Sequence, residues 1–123
     1  MNFTKPGIII KLGDGADEAV LKFTQLKNNV RQRIAYDLKM VQDVTDDFER
    51  LKHYQSYQDA VMQSCVEVEN LSEDGKAITA SDVKAGAVYP ETATAILVAY
   101  FAAVAQAEKK PEAEEKKEAS PAA

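Results

Sequence analysis

The widest chemical repertoire in this 123-residue chain belongs to its one histidine, His53, and its one cysteine, Cys65. A thiolate paired with an imidazole is a nucleophile, but only if the two groups are within hydrogen-bond reach. On a single helix their sequence spacing would separate them by about 18 Å along the axis and roughly 120° around it. That rules out a Cys-His pair within one chain. His53 reads instead as a partly exposed helix residue and Cys65 as part of a core. Zinc needs several Cys or His ligands, which this composition does not supply. Asp43, Asp46 and Asp47 offer carboxylates for a hard cation or for acid–base work, yet helix capping accounts for them more simply. Gly13-Asp14-Gly15 looks like an ion loop, but it lacks both the spaced acidic ligands of a calcium loop and the Gly-Lys-Ser/Thr of a phosphate loop. No dinucleotide-binding or nucleophile-elbow signature is present. No catalytic residue, metal ligand or cofactor site is therefore assigned, and a non-enzymatic protein is expected.

The elements that would carry any other function can be read from the same chain. A formal net charge of −5 disfavours a protein whose affinity comes from neutralising phosphates, so neither nucleic acid nor membrane is expected as a partner. A lone cysteine gives no intramolecular disulfide and fits a reducing compartment, with cytoplasm as the default. The opening MNFTKPGIII lacks the pattern of a signal peptide. The apolar run from Ala95 to Ala105 is well short of the roughly 20 residues needed to span a bilayer.

Ile8-Ile9-Ile10-Lys11-Leu12 and Ala19-Val20-Leu21-Lys22-Phe23 flank the Gly-rich turn and read as a β-hairpin over 7–23. Between Ala16 and Asp74 there is no glycine or proline. Helix is the natural reading there, first over about 25–43, where Leu26, Val30, Ile34, Leu38 and Val41 share one face. The basic residues Lys27, Arg31, Arg33 and Lys39 lie mainly off that stripe, as a solvated face. A second helix is expected over 46–70, starting at Asp46 or Thr45 with Glu49 in a capping arrangement. Its apolar face would run through Phe48, Leu51, Tyr54 or Tyr57, Val61, Met62, Cys65 and Val68.

Ser72 to Lys76 makes an acidic turn around Asp74-Gly75, and Thr79-Ala80-Ser81-Asp82 has the form of a helix start, giving one short turn over 80–86. Pro90 suits the first position of a last helix over 90–107. That helix is apolar on nearly every side, so it is either central to the core or docked on another protein. The residues after it, 108–123, are rich in Ala, Glu, Lys and Pro without a large apolar side chain and read as a disordered polar tail. The expected fold is thus mainly α: one domain over 1–107, with a small N-terminal hairpin followed by three to four helices.

The stretch from Cys65 onward resembles tail assembly chaperones of long-tailed bacteriophages. The resemblance rests on Val68-Glu69-x-Leu71, the Glu73-Asp74-Gly75-Lys76 turn, Thr79-x-Ser81-Asp82, and an apolar last helix leading into a polar tail. The small β element before the helices adds to it. The resemblance implies a non-enzymatic protein in the cytoplasm of a bacterial host that coats the tape measure protein, or another phage tail protein, during tail assembly. Some members also exist as a frameshifted longer form, and Lys109-Lys110 and Lys116-Lys117 permit the A-rich codons where slippage occurs. On this reading Ile96, Leu97, Tyr100, Phe101 and Val104 are the candidate partner contacts. A homo-oligomer through the unpaired hairpin edge is a further possibility. Two other readings compete: a virion component of the head–tail connector or tail-terminator type, and a small DNA-binding regulator using Lys27, Arg31 and Arg33.

Overall fold

The computed structural model describes the backbone of residues 1–122 and the side chains of residues 1–107. The expected hairpin is present: β1 (Ile8–Leu12) and β2 (Ala19–Phe23) pair antiparallel, with Ile8 opposite Phe23 and Leu12 opposite Ala19. Gly13 and Gly15 both take positive φ in the connection, as the turn required. Two helices follow, α1 (Asn28–Asp43) and α2 (Asp47–Met62), which pack as an antiparallel pair.

The helix expected over 46–70 is too long. It stops at Met62, and Cys65–Glu69 is a third strand, β3, antiparallel to β2. The cause is local and tertiary together. Cys-Val-Glu-Val-Glu alternates with two β-branched residues, and a two-stranded hairpin is marginal without a third strand. The end of α2 is fixed by Ser64, whose hydroxyl and backbone N–H both donate to the Val61 carbonyl. A β-bulge between Lys22 and Phe23 shifts the register, so that Phe23 faces Cys65 and Lys22 faces Glu67. On the outer face Lys22 and Glu67 form an ion pair at 3.2 Å. The fold is therefore mixed α/β rather than mainly α, with β2 central in the order β1-β2-β3.

The acidic turn is itself a small hairpin: β4 (Ser72–Glu73) pairs with β5 (Lys76–Ala77) across Asp74-Gly75. Both turn residues have positive φ, 52° and 78°. Two such residues make the turn whose twist matches a hairpin, and glycine takes that conformation at no steric cost. The short helix α3 (Ala80–Ala85) begins with a complete capping box. Thr79 Oγ1 accepts from the Asp82 N–H, and Asp82 Oδ2 accepts from the Thr79 N–H. It ends in a Schellman pair, with Gly86 N–H donating to Val83 O and Ala87 N–H to Asp82 O. Asp46 sits at the start of α2 but makes no side-chain cap bond, so the capping arrangement expected there is absent.

α4 (Pro90–Ala122) starts at Pro90 as expected. The disordered tail expected over 108–123 lies outside the residues whose side chains are described. Ala93, Ile96, Leu97 and Tyr100 of α4 are buried against the inner face of the sheet, with Ile8, Ile10, Leu21 and Phe23. Val61 and Met62 of α2, Cys65 and Val83 complete one continuous core. Edge-to-face rings run through it, from Phe23 to Tyr100 (5.2 Å between centroids), to Phe101 (5.7 Å) and on to Tyr57 (6.0 Å). Such pairs add about 0.5–1.5 kcal/mol each beyond the area they bury.

Candidate functional site

The start of α4 closes onto the sheet, and further along it, around Tyr100 to Val104, a groove of about 330 Å³ lies between α4 and α1. Ile8 of β1, Leu26 before α1 and Ile34 of α1 line one side. Tyr100, Phe101 and Val104 of α4 line the other, and among the described residues the charged ones along it are Lys5 and Arg31. An apolar cleft at the lower end of the usual ligand-site size, with two cations and few other polar groups among its described residues, suits apolar anchors carried next to negative charge. Burial pushes the Tyr100 hydroxyl up from its ordinary pKa, and Arg31 opposes that shift by favouring the phenolate.

The sequence candidates fall into two groups. Ile96, Leu97 and Tyr100 are buried in the chain's own core. Phe101 and Val104 are only partly covered and face the groove. The last helix is thus self-packed through Ala93, Ile96, Leu97 and Tyr100 and only partly covered at Phe101 and Val104. It is also not apolar all round in its packing, since Val98 is 67% exposed on the side away from the sheet.

The wall formed by α1 is held by a contact that periodicity did not reveal. Asp37 is 3% exposed, and His53 Nδ1 of α2 donates to its Oδ1 at 2.9 Å. Tyr36 packs edge-on to the same imidazole at 5.7 Å. His53 is therefore partly exposed, as expected, but structurally engaged. The only clue in the sequence was an acidic residue close to the apolar stripe of α1. Cys65 is fully buried, and that burial raises its thiol pKa, the opposite of an activated nucleophile. Among the described residues no group of His, Cys, Asp and Glu is placed to hold a metal ion. No helix among them is long and apolar enough to cross a membrane.

The acidic turn has a definite task. Glu73 Oε2 accepts from the Tyr89 N–H at 2.8 Å and from Thr92 Oγ1 at 2.7 Å, so the β4–β5 hairpin caps the start of α4 from outside the helix. A carboxylate there also meets the positive end of the helix dipole. The Tyr89 hydroxyl donates to Asp74, and that bond raises its pKa.

A second exposed feature lies at the α1–α2 corner. Phe48 and Leu51, expected to be core, are 65% and 51% exposed. Among the described residues, no element covers them. Their neighbours pair locally: Arg50 with Asp47 at 3.2 Å, and Lys52 with Glu49 at 3.7 Å while lying over the Phe48 ring.

No protein-family model, curated protein or solved structure matches this chain.

Proposed function

We propose that this chain is a non-enzymatic binding module that shields an apolar helical segment of a partner, acting as a phage tail assembly chaperone for the tape measure protein in the host cytoplasm. The observation that carries the proposal is the groove between α1 and α4, apolar along its length and flanked by Lys5 and Arg31. An amphipathic client helix would set its apolar anchors against Phe101 and Val104 and its acidic residues against the two cations. The chain's own net charge of −5 would keep such a complex soluble.

Of the five candidate contacts, Phe101 and Val104 are the two a client would reach without opening the core. Ile96, Leu97 and Tyr100 would act from behind, by holding α4 in place. Co-expression with the tape measure protein tests the proposal. The wild-type chain is expected to raise the soluble fraction of the client, and Phe101→Asp to abolish that gain while keeping its native circular dichroism. A client equally soluble with and without the chain sinks the proposal. A virion component would instead be retained in purified particles, where a chaperone is absent.

A further inference from the structure

We infer that the groove of one copy receives the α1–α2 corner of a second copy, making a head-to-tail self-assembly contact. The two surfaces are complementary in shape class and in charge. The groove presents an apolar lining with Lys5 and Arg31, and Lys27 stands at the adjoining start of α1. The corner presents Phe48 and Leu51, one turn apart on α2 and both more than half exposed. Around them the sequence from Asp43 to Lys52 carries four carboxylates, Asp43, Asp46, Asp47 and Glu49, against two cations, Arg50 and Lys52. Apolar anchors in a negatively charged setting are what this groove is built to take.

The contact cannot form within one chain. The groove is lined by Arg31 and Ile34 in the first half of α1, whereas the corner follows its last residue, Asp43. The twelve residue steps from Arg31 to Asp43 span about 18 Å along α1, which contains no proline or glycine. The donor of Phe48 must therefore be another copy. Because groove and corner are different patches, the interface is heterologous: repeated, it closes into a ring or extends as a filament. Each copy then contributes residues to its neighbour's groove. The inference does not rest on the chaperone proposal, since it needs no client. It does make client and neighbour compete for one surface.

Sedimentation velocity on the full chain, without any partner, tests it. The wild type is expected to form species larger than a monomer whose share rises with protein concentration. Phe48→Asp removes the anchor and Val104→Asp spoils the groove, and each is expected to weaken association about tenfold or more. Mixing the two variants leaves one intact groove and one intact corner per pair, so the mixture is expected to give a 1:1 dimer and nothing larger. A wild type that stays monomeric at every concentration overturns the inference. So does an oligomer that persists in both variants, or a mixture that yields no dimer. Should Val104→Asp fail to fold, Lys5→Glu at the exposed end of the groove replaces it in the same mixing experiment, with the same outcomes decisive.

Discussion

Two neighbouring sets of apolar residues on α4 are similar in type and have opposite fates. Ala93, Ile96, Leu97 and Tyr100 lie against the sheet in the sealed core. Phe101 and Val104 are as apolar but only partly covered, and they line the groove. What separates them is not hydrophobicity but whether another element has been positioned to cover them. The helix is a core element and a candidate contact surface at once.

The largest test of that division is a pair of truncations. Ile96→Ala should cost about 2–5 kcal/mol, as for other fully buried aliphatic side chains, whereas Val104→Ala should cost well under half as much. Denaturant midpoints of the two variants measure the difference, and equal losses would erase the distinction. On the facing wall, His53→Ala leaves the buried Asp37 carboxylate without its recorded partner and should cost about 1–3 kcal/mol. Retained stability there would mean that α1 is positioned by packing alone. At the start of α4, Glu73→Ala removes the outside cap and should cost about 0.5–2 kcal/mol in thermal unfolding.

A smaller effect is set by pH. Hydrogen bonds from Thr79 hold the Asp82 carboxyl below its ordinary value of 3.8. Its contribution to stability is therefore present above that value and is lost as pH falls through the lower folded-state pKa. Asp82→Asn should flatten the acid limb of a stability profile and change little near neutrality beyond the loss of the charged cap. The smallest effect belongs to the corner: Leu51→Ala, at a dilution where the chain is monomeric, should fall within about ±0.5 kcal/mol of wild type. A larger loss would mean that the corner is packed rather than presented.

Legibility in the sequence follows how local each determinant is. Gly13 and Gly15, the Thr79–Asp82 box and Pro90 act within a few residues, and each was found at its place. β3 was not, because Val66 and Val68 fit a strand or a buried helix stripe equally well when no breaker precedes them. What decides between the two is the need of the distant hairpin for a third strand. Likewise the spacing of Phe48, Leu51 and Tyr54 shows that they share a stripe but not that anything covers it. The groove was half legible: Phe101 and Val104 were named, together with three residues that periodicity could not distinguish from them. The roles of Asp37 and Glu73 were not legible, since each works on a partner sixteen or more residues away.

The single thiol gives the sheet a built-in clock. Cys65 opens β3, pairs with Phe23 in the central strand and is inaccessible to solvent. A thiol-reactive probe can therefore modify it only when the strand detaches or the whole domain unfolds. Comparing the labelling rate with the global unfolding rate would show whether the strand leaves alone or only with everything else.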